Sequence, residues 1–384
     1  MSISNRKIRL GMIGGGSGAF IGAVHRIAGR MDGQAEWVAG AFSSDPQKSK
    51  KTGEELYLDP SRVYATYSDM IQSESNLPDS ERIDAIAIVT PNHLHAAPAI
   101  EALERGFHVM VDKPMAFSVE EAIQMQKAVE KSGCILGVTH TYSGYPMIKE
   151  MKLRISRGEL GDIRKIFVEY PQGWLTLPLE MEGQKQASWR TDPSKSGAGG
   201  AVGDIGTHAA HLAEYVTGLK ILELSAQLKS HIVGRLLDDD SAALLRFEKG
   251  VTGSLIATQV AAGEENTMKL RVYGDLGGLE WSHGDPNTLL WKPLDQPMQV
   301  LRASNGYLSK AVSSLGRTPP GHPEGFLEAF ANLYMAFFNA IRAHEKGIGS
   351  VPDLPNVLDG VRGMKFIDAM VRSSASEGKW TLIA

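Results

Sequence analysis

The chain has 384 residues, 42% of them hydrophobic and 22% charged, a length and balance that predict two globular domains rather than one core. A net charge of −4 excludes a global basic field for nucleic acid or an anionic membrane, and no apolar run reaches the roughly 18 residues a membrane span needs. The single cysteine, Cys134, excludes an internal disulfide framework, and a polar stretch at residues 1–9 stands where a secretory leader would be apolar, so a cytoplasmic protein is expected.

Short apolar runs at residues 8–13, 37–42, 85–89, 109–111 and 135–138 read as strands buried on both faces. Helical spacing fills the gaps. Residues 95–105 stop at Gly106. Ser118 and Glu121 form a capping box for a helix that reaches about Lys131 and ends at Gly133. Strands alternating with helices predict an α/β domain with a doubly wound parallel sheet, residues 1–138. The rhythm then changes. A helix at 146–157 and a strand at 163–170 precede an irregular stretch, 171–203, and a helix at 205–217 stopped by Gly218. Strands between 221 and 291 read as antiparallel, with a hairpin at Glu248-Lys249-Gly250, and helices at 324–344 and 359–372 close the chain. Residues 139–384 are therefore expected to form an α+β domain on a mainly antiparallel sheet. The irregular stretches 171–203 and 293–321 are long enough to line or cover a pocket.

The first strand runs into Gly14-Gly15-Gly16-Ser17-Gly18-Ala19-Phe20-Ile21-Gly22. Glycines between a strand and a helix let backbone N–H groups approach a diphosphate at the helix N-terminus. Gly14, Gly16, Ser17, Gly18, Phe20 and Ile21 are the candidate contacts. Gly14 and Gly16 fit the first two positions of G-x-G-x-x-G; Gly22 in the third leaves five intervening residues instead of two, which predicts a longer loop. A flexible loop that binds nothing is the alternative. The second strand ends in Ser43-Ser44-Asp45-Pro46 rather than in an acid, with Lys48 following. Small hydroxyls leave room for a 2′-phosphate, so either NAD or NADP is expected, with Ser43, Ser44 and Lys48 tilting the choice to NADP. Ser43 to Pro46 reads equally as a helix-capping turn.

Asp112-Lys113-Pro114 closes the fourth strand, at the sheet edge where ligands of such sheets bind, and a cis bond before Pro114 is compatible with it. A Lys-Pro pair alone is more often a surface turn. Downstream, Gly199-Gly200-Ala201-Val202-Gly203-Asp204-Ile205-Gly206-Thr207-His208 opens the helix at 205–217. Asp204 and His208 are four apart and share a face if the helix begins near Asp204, whose charge then suits the N-terminus. His208 is a candidate proton-transfer group; the alternatives are a capping Asp and a structural His.

Together, the glycine turn, Thr90-Pro91-Asn92-His93-Leu94-His95, Asp112-Lys113-Pro114, Trp189-Arg190 and Asp204-x-x-x-His208 resemble the glucose–fructose oxidoreductase / inositol dehydrogenase (Gfo/Idh/MocA) family, in order and over nearly the whole chain. The resemblance implies a Rossmann domain followed by an open-faced sheet that carries a homodimer or homotetramer. It implies hydride transfer between a nicotinamide and a sugar, glycoside or cyclitol. Carried over by motif, Lys113, Asp204 and His208 are catalytic, and Thr90, Pro91, Asn92, His95, Asp112, Lys113 and Pro114 join the cofactor set. Asp112 departs from the commoner Glu. Tyr142, Trp174, Trp189 and Arg190 suit a sugar pocket, and suit packing equally. Two other classes compete: a non-catalytic NAD(P)-binding sensor or assembly subunit, and a metal enzyme using His93, His95, His208 and His211.

Overall fold

A computed structural model describes residues 6–348 and 353–384; residues 1–5 of the polar N-terminal stretch lie outside them. The chain divides into two compact units, Met1–Thr141 with Phe330–Val361, and Tyr142–Ala329 with Arg362–Ala384.

The first unit alternates β1 (Ile8–Gly14), α1 (Phe20–Arg30), β2 (Ala35–Ala41), α2 (Pro46–Glu55), α3 (Tyr67–Ser75), β3 (Ala85–Val89), α4 (Ala96–Glu104), β4 (His108–Val111), α5 (Val119–Ser132) and β5 (Leu136–Val138). All five strands are parallel, in the order β2-β1-β3-β4-β5. The residues of β3 and β4 are buried without exception, which is why those strands read as unbroken apolar runs. The strand order reverses between β1 and β3, and in such sheets the crevice at the reversal is the ligand position. Ser118 Oγ accepts from the Glu121 N–H and Glu121 Oε2 from the Phe117 N–H; Gly133, at φ +70°, ends α5. The helices α2 and α3 are polar and lack a strong apolar period, so the sequence reading passed over them.

The second unit contains α6 (Pro146–Ser156), β6 (Ile163–Pro171), α7 (Lys185–Arg190), α8 (Pro193–Ser196), α9 (Thr207–Thr217), β7 (Ile221–Lys229), β8 (Asp240–Phe247), β9 (Thr252–Thr258), β10 (Lys269–Gly274), β11 (Gly277–Ser282), β12 (Thr288–Pro293), β13 (Gln299–Arg302), α10 (Lys310–Ser313), and β14 (Thr381–Leu382), with α11 (Phe326–Glu345) and α12 (Val357–Ala375) each divided between the units. Its nine strands form one sheet, β13-β12-β11-β10-β6-β9-β8-β7-β14. Every pairing is antiparallel except the central one, β6 with β9, which is parallel from Lys165↔Thr252 to Pro171↔Thr258. On β8, Ser241, Ala243, Leu245 and Phe247 are buried while Ala242, Leu244 and Arg246 alternate outward, the period of a half-covered sheet.

Two expectations change. The stretch 171–203 contains α7 and α8 and is held by Arg235, whose guanidinium bonds Glu180, Asp239 and the carbonyls of Leu175 and Leu177. The reading of 139–384 as one continuous domain places residues 330–361 in the second unit, whereas they group with the first. There, Phe330 and Tyr334 pack edge-on against His25 of α1, and Tyr334 against Trp37 of β2.

Candidate active site

The loops that follow β1, β2, β3 and β4 share the C-terminal edge of the parallel sheet. Backbone joins the first two and a side chain the last two. The Gly16 N–H donates to the Phe42 carbonyl at 3.2 Å, tying the glycine loop to the end of β2. A Cβ on Gly14 would stand 2.5 Å from the Val89 carbonyl oxygen, and one on Gly16 would stand 2.8 Å from that of Phe42. Gly14, Gly15 and Gly18 have positive φ, which glycine adopts without strain. Gly22 lies in the first turn of α1, and a Cβ there would stand 2.5 Å from the Gly15 Cα. Gly22 is thus the packing glycine expected in the third position. The extra residues form a turn closed by the Ala19 N–H on the Gly16 carbonyl. Helix α1 has no side-chain cap and no acid in its first turn, so its N-terminal N–H groups and dipole face the loop uncompensated by a carboxylate. Ser17, Gly18 and Phe20 are exposed beside it, and the Ser17 N–H donates to Thr52 Oγ1. A dinucleotide diphosphate fits this cradle, because the loop at Ser17 and Gly18 is exposed beside a helix N-terminus that no carboxylate occupies, while Gly14, Gly16 and Gly22 let the loop pack closely on the neighbouring backbone.

Asp45 is the N-cap of α2, accepting from the Gln47 and Lys48 N–H groups at 3.0 and 3.4 Å, and its other oxygen lies 3.8 Å from the Lys48 ammonium. Ser43 Oγ accepts from the Asp45 N–H. The capping turn at residues 43–46 is therefore real, and it carries a negative charge. Thr90 and Pro91 flank the end of β3, and Asn92 is buried behind them. His95, 1% exposed, has Nδ1 at 2.9 Å from the Pro114 carbonyl and Nε2 at 2.8 Å from the Thr90 carbonyl. Both ring nitrogens are engaged with backbone, so the side chain braces two loops against each other. Among the described residues no group of three or more His, Cys, Asp or Glu is placed to hold a metal ion. Asp112 likewise turns inward: Oδ1 accepts from the Lys113 N–H at 3.0 Å and from Thr139 Oγ1 at 2.5 Å, fastening the end of β4 to β5. Lys113 follows with a cis peptide to Pro114.

On the second unit the helix that ends in α9 begins earlier than expected. Residues 202–206 form one π-helical turn, Val202–Gly206, which runs directly into α9. Asp204 sits inside that turn, so it is not the helix cap. Asp238 holds that position: its carboxylate accepts from the Gly200 and Val202 N–H groups at 2.6 and 2.8 Å, and its carbonyl from the Ala201 N–H. Burial pushes the Asp238 carboxyl up to about 6 against those hydrogen bonds. Asp204 instead receives Gln259 Nε2 at 2.8 Å and lies 3.4 Å from Arg190 Nε. Single π turns are frequent at functional sites. His208, 7% exposed, meets the edge of the Tyr142 ring with centroids 5.0 Å apart. Lys113 belongs to the first unit, and Asp204 and His208 to the second.

Around Tyr142 lies a polar cluster that includes the pocket candidate Trp174 and brings in Tyr170, Gln172, Gln259, Asn266 and His283, which sequence reasoning missed. The Tyr142 hydroxyl bonds that of Tyr170; Tyr170 donates to Asn266 Oδ1 at 2.7 Å; Gln172 Nε2 donates to the same oxygen at 2.6 Å. Trp174 Nε1 donates to Gln172 Oε1 at 3.1 Å, and Gln259 Nε2 reaches it at 3.2 Å. His283 bridges the Asn266 carbonyl and the Tyr145 hydroxyl. Burial pushes the Tyr142 phenol up to about 12, so it stays protonated near neutral pH. Arg190 stacks over Trp189 at 4.3 Å, and both reach Gln186. No local signal marks Gln172, Gln259 or Asn266; only the parallel pairing of β6 with β9 sets Gln172 and Gln259 side by side, one residue beyond each strand.

Residues 8–140 match the family described as "Oxidoreductase family, NAD-binding Rossmann fold", and residues 148–280 match the GFO/IDH/MocA C-terminal domain. The chain belongs to the GFO/IDH/MocA oxidoreductase family. Crystal structures of an inositol dehydrogenase homolog from Azotobacter vinelandii, complexed with NAD+ or with NADH and myo-inositol, superpose with TM-scores of 0.94 and 0.92 at 35% and 34% identity, covering 98% of both chains in each case. The uncharacterized oxidoreductase YfiI of Bacillus subtilis is 31% identical over 98% of this chain and 97% of its own. The levoglucosan dehydrogenase of Pseudarthrobacter phenanthrenivorans is 28% identical over 97% of each. The protein is thus an NAD-binding oxidoreductase, which displaces the non-catalytic sensor or assembly-subunit alternative. No helix among the described residues is long and apolar enough to cross a membrane.

Proposed function

We propose that this oxidoreductase interconverts a secondary alcohol and a ketone on a sugar, glycoside or cyclitol, with NAD(H) as its dinucleotide. The observation that carries the reading is the polar cluster around Asp204 and His208. Gln172, Trp174, Arg190, Asp204 and Asn266 are half-buried and form a continuous polar lining, which a polyhydroxylated ligand can match and an apolar one cannot. A homolog complexed with NADH and myo-inositol, and a levoglucosan dehydrogenase, support the substrate class.

Bound nicotinamide supplies a hydride acceptor or donor at its C4. His208 takes the hydroxyl proton during oxidation and returns it during reduction. Lys113 stabilises the developing alkoxide with its ammonium. Asp204, held by Gln259 and Arg190, orients the proton-transfer group or a neighbouring hydroxyl. Ser43 and Ser44 leave room for a 2′-phosphate, but Asp45 adds a carboxylate to the same turn and draws Lys48 to itself, so a second anion there is repelled. That favours NAD(H) over the NADP(H) suggested by the hydroxyls alone. The outward side of the C-terminal sheet exposes Leu222, Leu244 and Ile256, which supports a homodimer or homotetramer through this face.

The deciding experiment is a spectrophotometric screen of myo-inositol, levoglucosan, glucose and L-sorbose with NAD(H) and NADP(H) run separately, in both directions. Turnover of at least one with NAD(H) is expected; none with either dinucleotide overturns the reading.

A further inference from the structure

The polar cluster on the second unit has a fixed direction. Two of its groups act one way only. The Trp174 indole N–H donates and cannot accept, and the Asp204 carboxylate accepts. Because the indole points at one end of the Gln172 amide, that end is the oxygen, and the amide nitrogen must face Asn266. Asn266 therefore turns its oxygen to Gln172 and to Tyr170, so Tyr170 donates to it. With the Tyr170 proton committed, the hydrogen bond between the two phenols runs from Tyr142 to Tyr170. From the other side, Asp204 orients the Gln259 amide, whose nitrogen also donates to Gln172 Oε1. Gln172 is the link on which both halves close: its nitrogen reaches Asn266 and Tyr170, and its oxygen receives Trp174 and Gln259.

We infer that Gln172 is a positioning residue, which fixes the polarity of the hydrogen-bond chain from Asp204 to Tyr142 and so holds Asp204 and the Tyr142 ring in register with His208. Its consequence is specific. The Tyr142 hydroxyl keeps its proton on Tyr170, accepts from Asn266 Nδ2 at 3.4 Å and so has no donor for any group that approaches it, while Asp204 receives a fixed donor from Gln259. A site whose dipoles are set beforehand loses nothing to reorientation as charge develops on the substrate oxygen. The inference rests on the proposed polyol chemistry for its kinetic meaning, but the chain itself is testable without a substrate.

Two variants separate polarity from packing. Gln172→Leu keeps the volume and removes all four hydrogen bonds. Gln172→Glu keeps the shape; ionised, it only accepts, which opposes Asn266 Oδ1, whereas protonated it again has one donor and one acceptor end. With the polyol of the screen that wild type turns over, Gln172→Leu is expected to lower kcat by roughly tenfold to a hundredfold at every pH. Gln172→Glu should be equally poor at pH 8 and recover towards wild type at pH 5, read as the variant-to-wild-type ratio at each pH. Affinity for NADH, measured by fluorescence titration, should change less than about twofold in either. In parallel, the thermal midpoint of Gln172→Glu should approach that of wild type on acidification, with no substrate present. A variant-to-wild-type ratio that is flat between pH 5 and 8, or Gln172→Leu with wild-type kcat, overturns the positioning role. A flat difference in thermal midpoint overturns the polarised chain itself. Wild type inert on the whole panel, with the midpoint still pH-dependent, counts against the polyol reading and leaves the chain standing.

Discussion

Gly22 and Gly15 meet backbone to backbone: a Cβ on Gly22 would stand 2.5 Å from the Gly15 Cα and collide with its carbonyl oxygen. The contact sets how closely α1 approaches the loop after β1, and hence where the N–H groups at the start of α1 point. Gly22→Ala is expected to destabilise the first unit by about 1–3 kcal/mol, as overpacking does. It should weaken NADH binding by roughly tenfold or more, because loop and helix must part. Thermal denaturation and fluorescence titration read the two effects. Retained affinity would show that the cradle does not depend on this contact.

Asp45 contributes a carboxylate to the turn after β2, where Ser43 and Ser44 otherwise leave space. Asp45→Ser keeps an N-cap hydroxyl and removes the charge. The ratio of kcat/KM for NAD+ to that for NADP+ should fall by roughly tenfold, equivalent to about 1.4 kcal/mol of relieved repulsion. An unchanged ratio would mean that the carboxylate does not face the adenosine ribose.

Lys113→Ala and His208→Ala should each lose turnover by at least a hundredfold, a typical contribution of a positioned acid, base or charge, at roughly 10²–10⁴. Cofactor affinity should largely survive in His208→Ala, since the cradle residues lie on the first unit. Steady-state kinetics with NADH titrations distinguish the steps. Near-normal rates in both variants would remove the assigned chemistry.

Asp238 titrates at about 6 in the fold, raised from 3.8 by burial. A raised acid stabilises the fold fully below the unfolded pKa, and that contribution disappears as pH rises through the folded value. From pH 4 to pH 7 wild type therefore loses about 3 kcal/mol that Asp238→Asn does not, by the linkage of 1.36 kcal/mol per unit. The stability gap between the two should narrow over that window in urea unfolding. A constant gap would place the Asp238 carboxyl at its ordinary value.

His25 and His108, both on the first unit, are held neutral by burial, with each lowered from 6.5 to about 4. For a lowered base the sign reverses. The contribution is whole above pH 6.5 and is lost as pH falls towards 4, up to about 3 kcal/mol for each residue. His25→Gln combined with His108→Gln should flatten the fall in thermal midpoint between pH 6.5 and 4. An equally steep fall in the double variant would assign acid sensitivity elsewhere.

The sequence by itself determined the parallel half of the molecule. Runs such as Ala85–Val89 are apolar throughout because the strand is buried on both faces, and each ends in a signature that must lie at one sheet edge: the glycines after β1, Thr90-Pro91-Asn92 after β3, Lys113-Pro114 after β4. Asp204 and His208 were legible by spacing, and their family by the order of motifs. Other features required the tertiary fold. His95 and Asp112 turn inward onto backbone and Thr139, because a polar group at a buried strand end must satisfy its neighbours before it can serve a ligand. Asp238 rather than Asp204 caps the helix, since it comes from a loop 38 positions beyond Gly200 that no local pattern connects to it. Gln172, Gln259 and Asn266 carry no motif at all. Gln172 and Gln259 meet because β6 and β9 run parallel in an otherwise antiparallel sheet, and Asn266 joins them from the segment leading into β10, the antiparallel neighbour of β6 on its other side.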